Sequence, residues 1–535
     1  MTTQGNETLY ITTAIDYVNG KPHLGHAYEK MATDAIARAF KAMQIPTYFL
    51  TGVDEHGIKV EQNAAKHQQS PKAFVDDLSQ SFTQLWQHCD VAYDRFIRTT
   101  EASHYALVTQ LWQRLLNKGD IYKASYEGKY CTGCEAFLNE RDLDDTGRCL
   151  VHKSVPEVVL EENYFFRLSH YKQALLDYFE SHPDFVQPAF RKAEVLNMLE
   201  NLQDISVSRS TKAVTWGIPV PNDEEQVIYV WIDALSNYLS GLNYLSADEA
   251  LFQRFWQTPE GQPNAVHIIG KDILRFHAIY WPAMLMSAEL PLPKTIFAHG
   301  FITLEDAKIS KSLGNVISPF EITAEYDLPN ADTLRYYLLT CTPFGQDGNF
   351  SIQEFKLKVN ADLANNLGNL LNRSLSMVSK YFNGELPPYN ASSAEAVLDA
   401  LQEQSELRQA VESAYRAFDF QKVAGLLLER VDLANRAIND LQPWTLHKEG
   451  QTERLAALLF AVLEAVRVVA ILFQPMLPNL SQDILNQLGF ATHSFTSFED
   501  VKQLRFSASH AHRVNPTGPL IPRLDSELVG AEKKK

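Results

Sequence analysis

The segment that most limits the fold of this chain is a closely spaced strand, helix and strand near the N-terminus. Residues 8–13 alternate and branch at Cβ as a buried strand does. Asn19-Gly20 then turns the chain. A helix is predicted from Leu24, with Ala27, Met31, Ala35, Ala39 and Met43 on one face at four-residue steps. Pro46 ends it, and Thr47–Thr51 reads as a second strand. Such a unit is the seed of a parallel sheet. A second unit stands far downstream, with a strand at Val266–Ile269 and a helix at Asp272–Ser287. Between them lies a stretch of different character, rich in short strand-like runs. The expected architecture is an α/β parallel-sheet domain split by an insertion. Beyond about residue 361 the pattern changes to long helices with polar connectors, which predicts an α-helical bundle.

Length and composition bound the rest. At 535 residues the chain should hold about three to four domains. A 45 % hydrophobic, 21 % charged balance is that of a globular protein with large cores. Net charge is −17, so bulk charge cannot draw the chain to nucleic acid. Any RNA contact must come from a local basic surface and from the bases. The most apolar run, Leu455–Phe473, is interrupted by Glu464 and Arg467, which predicts a buried bundle helix over a membrane span. The N-terminal residues have neither a signal peptide's apolar core nor a transit peptide's arginines, which points to a cytoplasmic protein.

Two short motifs carry chemistry. The sequence has no GxxxxGK[ST] and no GxGxxG. At the first strand-to-helix junction stands Pro22-His23-Leu24-Gly25-His26. Two imidazoles at a helix N-terminus suit an anion, and Gly25 leaves room for a flat base or ribose. Taken alone, this HxGH reads first as a capped helix start. Lys308-Ile309-Ser310-Lys311-Ser312, before Leu313-Gly314, places two lysines and two serines on a short loop suited to a transferring phosphate. Taken alone, it reads equally as a solvated surface loop. The two together form a specific pair.

Five cysteines are too few for a disulfide framework, and three of them cluster. Cys131 and Cys134 are followed after fourteen residues by Cys149 and then His152, giving CxxC…CxxH. Two tight pairs of soft or imidazole ligands match a closed, structural, tetrahedral Zn²⁺ site. Two aromatic faces occur at helical spacing: Trp231, Ala234, Leu235 and Tyr238, then Ile273, His277 and Trp281. Each is either ordinary core or the wall of a pocket at the ligand-binding edge of the sheet. In the helical region, Asn369 and Arg373 are four apart, and Trp444 follows Pro443 at a predicted helix start. Such groups read unpaired bases by stacking and hydrogen bonding, or staple a bundle.

The HxGH and KISKS pair resembles the HIGH and KMSKS signatures of class I aminoacyl-tRNA synthetases, with Leu24 for Ile and Ile309 for Met. Segments AIDYVNGKPHLGH, TGVDEHG, YVWIDALSNY and IIGKDILRFHAIYWPAML resemble, in order, those of the methionyl-tRNA synthetase family, and the resemblance covers about residues 8–516. It implies a Rossmann-type catalytic domain that joins L-methionine to ATP's α-phosphate, releases pyrophosphate, and loads the 3′ end of tRNA(Met), initiator and elongator. His23, His26, Lys308 and Lys311 would stabilise charge. Gly25, Gly270, Asp272, Ile302 and Ser310 would complete the ATP site, with Mg²⁺ accompanying the nucleotide.

The same resemblance implies that Ala14, Ile15, Tyr17, Asp54, Trp231, Ala234, Leu235, Tyr238, Ile273, His277 and Trp281 hold methionine, with Asp54 on its α-amino group. Asn369, Arg373 and Trp444 would read the anticodon. The implied layout is a first catalytic half at 1–117 and a connective insertion with one zinc knuckle at 118–224. A second catalytic half at 225–300 and a stem-contact region with the KISKS loop at 301–360 follow. An anticodon-binding bundle at 361–516 and a tail at 517–535 complete it. A monomer is expected, with no membrane or DNA partner. Competing readings are a synthetase for another amino acid, a nucleotidyltransferase that uses HxGH without tRNA, or a non-catalytic RNA-binding relative.

Overall fold

A computed structural model describes residues 7–134, 136–138, 142–257, 264–304, 307–308, 317–387, 404–503, 506 and 511–524. The chain gathers into two compact units. One comprises Met1–Pro22, Tyr48–Gln84 and Tyr93–His299; the other comprises His23–Thr47, Leu85–Ala92 and Gly300–Lys535.

The first unit is built on a seven-stranded sheet. Its strands are β1 (Leu9–Thr13), β2 (Asp16–Tyr17), β3 (Thr47–Asp54), β4 (Arg95–Arg98), β5 (Val186–Gln187), β6 (Ala265–Gly270) and β7 (Thr295–His299). The order across the sheet is β2-β3-β1-β6-β7-β5, with β4 also on β3. The pairs β1–β6, β6–β7, β7–β5, β2–β3 and β3–β4 are parallel. Every residue of β1 and β6 is buried, the signature of parallel strands covered on both faces. The chain leaves β1 towards β3 and later returns on its other side as β6. That reversal makes a switch point, and ligands of such sheets bind at the carboxyl ends of the strands beside it. Ala14 and Ile15 follow β1 there, Asp54 ends β3, and Gly270 ends β6.

The predicted α/β sheet is therefore present, with three local differences. The edge strand β5 comes from within the stretch 118–224. The stripe Trp231–Tyr238 is divided at Ser236 into helices Val230–Leu235 and Asn237–Ser240. The expected helix Asp272–Ser287 is in three pieces: a 3₁₀ turn Lys271–Ile273, a π-helical turn Phe276–Tyr280 and an α-helix Trp281–Ser287. Pro282 explains the last, because it has no N–H for the carbonyl one α-turn earlier, and the chain widens just before it. The insertion carries a long antiparallel hairpin, Ile121–Cys131 with Glu157–Phe166, in register from Ile121↔Phe166 to Tyr130↔Glu157. The cysteine cluster sits at its tip.

The second unit is mainly helical, with long helices at Asn369–Phe382, Phe420–Leu441 and Thr452–Phe473. Thr452–Phe473 is long and apolar enough to cross a membrane, but from Leu455 to Phe473 it is buried in the protein. Its two buried charges have local work. Arg467 donates to Glu464 at 2.6 Å and to the carbonyls of Asp500 and Gln503, and Glu464 accepts the Phe506 N–H at 2.9 Å. The pair thus anchors the chain that follows the bundle. The helix Leu24–Ala42 also departs from expectation. It is buried nearly all round, including Glu29, Lys30 and Asp34, and Met43 lies past its end as the C-cap residue.

Candidate active site and metal centre

The HxGH motif is both a helix cap and an array of imidazoles. His23 Nδ1 accepts the Gly25 N–H at 3.1 Å, and His26 Nδ1 accepts the His23 N–H at 3.1 Å, forming a capping box. The helix-start reading of these residues therefore holds. A backbone N–H can only donate, so each neutral ring carries its proton on Nε2. The rings lie 4.0 Å apart and are partly exposed. Two N–H donors are thereby fixed at the positive end of a 19-residue helix. A Cβ on Gly25 would lie 3.1 Å from His23 Cε1, so this glycine also makes room for the imidazole.

Within the same unit, the Leu24 N–H donates to the Ile317 carbonyl at 3.0 Å, just past the KISKS segment. The strands leading into that segment, Ile302–Leu304 and Ala307–Lys308, pair antiparallel, with Thr303 opposite Lys308. Lys308 is thus placed by its backbone, and Ile302 is buried. Ser310 and Lys311 lie outside the described residues. Gly300 was not singled out from sequence, yet a Cβ there would lie 2.2 Å from the Gln346 backbone. Gly270 is buried at the end of β6, and Asp272 is exposed just beyond it.

The aromatic stripes resolve into two layers over the apolar core of the first unit. Ala14, Ile15, Trp231, Ile273 and Phe276 are partly buried and pack on that core, while Leu235, Tyr238 and Trp281 are buried within it. Trp231 stacks flat on Phe276, with centroids 3.6 Å apart and planes at 5°. Below them, Tyr238 Oη lies 2.7 Å from His277 Nε2, and His277 Nδ1 lies 3.0 Å from the Ile273 carbonyl. A carbonyl only accepts, so in neutral His277 Nδ1 donates and Nε2 accepts the tyrosine proton. Ala234 and Asp54 are buried, and Tyr17 is partly exposed. The partly exposed rings and the buried ones are thus two faces of one assembly.

Sequence reasoning missed a buried polar cluster beside these groups. Asp233 Oδ2 lies 2.6 Å from His56 Nδ1, and Oδ1 lies 2.7 Å from His104 Nε2. His56 Nε2 reaches Tyr105 Oη at 2.9 Å, and His104 Nδ1 reaches Ser240 Oγ at 2.7 Å. Burial alone would raise the Asp233 carboxyl, but His56 and His104 bring it down to about 2. The cluster ties the segment after Asp54 to the helix carrying Trp231 and Ala234. His56 lies in TGVDEHG and Asp233 in YVWIDALSNY, but His104 lies in neither, and the two pairings with Asp233 span 177 and 129 residues.

At the tip of the insertion, Cys131, Cys134, Cys149 and His152 present ligand atoms all within 4.8 Å of one another. Cys134 Sγ is 3.5 Å from Cys149 Sγ and 3.2 Å from His152 Nδ1, and Cys149 Sγ is 4.0 Å from that nitrogen. A tetrahedron with Zn–S of about 2.3 Å and Zn–N of about 2.0 Å needs such edges. A Cβ on Gly133 would fall 2.4 Å from the His152 ring, so glycine admits the histidine here. These residues fit a zinc ion. Burial, then the neighbouring Cys149 and Cys131 sulfurs, pushes the Cys134 thiol up, an effect a bound dication reverses.

In the second unit, Asn369 is exposed at the first turn of its helix, and Arg373 donates to Asn439 Oδ1 at 3.5 Å. Trp444 follows Pro443 at the start of the helix Pro443–Lys448, as expected, and is 49 % exposed.

A nucleotide-type parallel sheet, paired histidines at a helix start and a Cys₃His knuckle together define a class I aminoacyl-tRNA synthetase. The family described as "tRNA synthetases class I (M)" matches residues 9–147 and 141–375. The methionine–tRNA ligase of Caldanaerobacter subterraneus is 43 % identical over 533 residues, covering 99 % of this chain and 81 % of that protein. That of Thermosynechococcus vestitus is 44 % identical over 486 residues, covering 90 % of each. The structure of Mycobacterium tuberculosis methionyl-tRNA synthetase in complex with methionyl-adenylate superposes with a TM-score of 0.89 at 39 % identity, covering 97 % of this chain and 100 % of that one. The chain belongs to the methionyl-tRNA synthetase family.

Proposed function

We infer that the chain activates L-methionine with ATP and transfers it to tRNA(Met), and that the residues named above do this work. The observation that carries the site assignment is the HxGH cap, which commits both Nδ1 atoms to backbone N–H groups and so places the proton of each neutral ring on Nε2. A methionine carboxylate oxygen attacks the α-phosphorus, and the bond to the β-phosphate oxygen breaks as pyrophosphate leaves. His23 and His26 donate hydrogen bonds to the charge that moves onto the leaving group, Lys308 and Lys311 neutralise it, and Mg²⁺ accompanies the nucleotide. A ribose hydroxyl at the tRNA 3′ end then attacks the acyl carbon, and AMP leaves. Gly270, Asp272, Ile302, Gly25 and Ser310 complete the nucleotide site. Asp54 holds the α-amino group, and the partly exposed ring layer receives the thioether, for which sulfur–ring contacts are worth about 0.3–1.5 kcal/mol.

Pyrophosphate exchange over a panel of amino acids tests the reading. Methionine should stimulate exchange without tRNA, and stimulation by leucine or cysteine instead would overturn it. Cys131, Cys134, Cys149 and His152 hold one structural zinc. Purified protein should contain one zinc per chain, and Cys131→Ser with Cys149→Ser should remove it and expose the hairpin tip to proteolysis. Full retention of metal by that variant would refute the ligand set.

Asn369, Arg373 and Trp444 read the anticodon. A half-exposed indole contributes little to a bundle, whereas stacking on a base is worth roughly 1–3 kcal/mol. Trp444→Ala should lower kcat/KM for charging by about tenfold to over a hundredfold and leave exchange and melting temperature nearly intact. Normal charging by Trp444→Ala would remove this residue from anticodon reading.

A further inference from the structure

We propose that His267 sets the dimensions of the methionine pocket, and thereby its selectivity, by holding Tyr238 and Trp281 in place from beneath. The proposal rests on the pocket assignment above and adds a positioning residue that itself never meets the substrate.

His267 is fully buried in the middle of β6. Its ring stacks on that of Tyr238, with centroids 4.0 Å apart and planes at 25°. Its two nitrogens are held from opposite sides. Nε2 lies 3.3 Å from the Trp281 indole N–H, and Nδ1 lies 2.8 Å from Thr12 Oγ1. An indole nitrogen only donates, so Nε2 accepts and carries no proton. Nδ1 then bears the proton and donates to the Thr12 hydroxyl. The ring is neutral with a single tautomer, consistent with burial, and next with His277, holding it well below the usual histidine range.

One imidazole therefore supports two walls. On one side it pins the indole of Trp281, which is 0 % exposed and packs at 5.9 Å from the Tyr238 ring. On the other it underlies Tyr238, whose hydroxyl orients His277, which in turn binds the Ile273 carbonyl. Tyr10 Oη fixes the Tyr238 backbone by donating to its carbonyl at 2.8 Å. The walls cannot shift without breaking a buried hydrogen bond. This matters because one methylene in an apolar pocket gives only about 10- to 200-fold discrimination, which a small retreat of the wall would forfeit. No apolar residue could take the position of His267, since Trp281 and Thr12 would both lose their partner in a region water does not reach.

The test compares two amides. Asparagine places a polar atom near the Nδ1 position and none at Nε2, whereas glutamine can reach the Nε2 position with its carbonyl. Pyrophosphate exchange is measured with methionine and with ethionine, which is one methylene longer. His267→Asn should raise KM for methionine more than it lowers kcat and reduce the methionine-to-ethionine ratio of kcat/KM by about tenfold. His267→Gln should recover most of that ratio. Trp281→Phe removes the donor and should give a similar loss, and the double variant His267→Asn with Trp281→Phe should be little worse than either single one. A folded His267→Asn variant with the wild-type ratio overturns the proposal, as do losses that multiply in the double variant. If His267→Asn does not fold, wild-type selectivity in Trp281→Phe overturns it. Unchanged methionine KM in Tyr238→Phe would instead overturn the pocket assignment beneath it.

Discussion

His26→Asn should slow methionine-dependent pyrophosphate exchange by about a hundredfold to a thousandfold and leave the melting temperature nearly unchanged. The asparagine carbonyl oxygen sits close to where Nδ1 sits, so it can still accept the His23 N–H and keep the capping box closed. What it lacks is an atom at the Nε2 position. The substitution therefore separates the two roles that the HxGH motif combines. Loss of one preorganised donor to developing charge costs about 2.7–4 kcal/mol in comparable sites, which gives the range above. His26→Ala removes both roles and should add a loss of stability of about 1 kcal/mol, typical of a missing cap. Single-turnover adenylate formation and thermal unfolding on the two variants check this. Wild-type activation by His26→Asn would mean that the motif is only a cap.

Much of the site was legible because its chemistry is local. The HxGH cap closes within four residues, and the zinc ligands are paired within four residues on each side of one hairpin. Spacing alone determines such groups. The aromatic stripes were legible as rings but not as layers. Which rings of a stripe stay partly exposed, as Trp231 does, and which are buried, as Trp281 is, depends on what packs around them, which periodicity does not encode. His267 was invisible for the same reason, since its partner Thr12 is 255 residues away. So was Asp233, a carboxylate in an aromatic stripe whose two histidines come from distant segments. In the fold, the helix after β6 was misread because Pro282 acts on the turn before it. The two-residue strand β5 has too little sequence to announce itself. The predicted face of Leu24–Ala42 is buried, but the opposite side is buried too, because Asp34 and Lys30 lie in ion pairs and hydrophobic patterning counts such residues as exposed.

That buried aspartate leads to the larger stability effect. Arg335→Met should destabilise the second unit by about 3–5 kcal/mol. Both charges of the Arg335–Asp34 pair are fully buried and 2.6 Å apart. Arg335 also donates to the carbonyls of Met476 at 3.0 Å, Cys89 at 3.1 Å and Pro475 at 3.2 Å. Asp34 accepts further bonds from Arg38 and from the Ala92 N–H, both at 2.8 Å. One guanidinium thus joins four segments distant in sequence, among them the middle of the helix that begins at HxGH. Methionine fills most of the volume but satisfies none of the acceptors, so three carbonyls lose this donor and Asp34 Oδ2 keeps only Arg38. Adding Asp34→Leu to Arg335→Met should recover little, because Arg38 and the Ala92 N–H then lose their own acceptor. Urea denaturation followed by a probe in the second unit reports the change. A cost below about 1 kcal/mol for Arg335→Met would show that water or rearranged side chains reach the vacated donors' partners, and that the pair does not hold the four segments together.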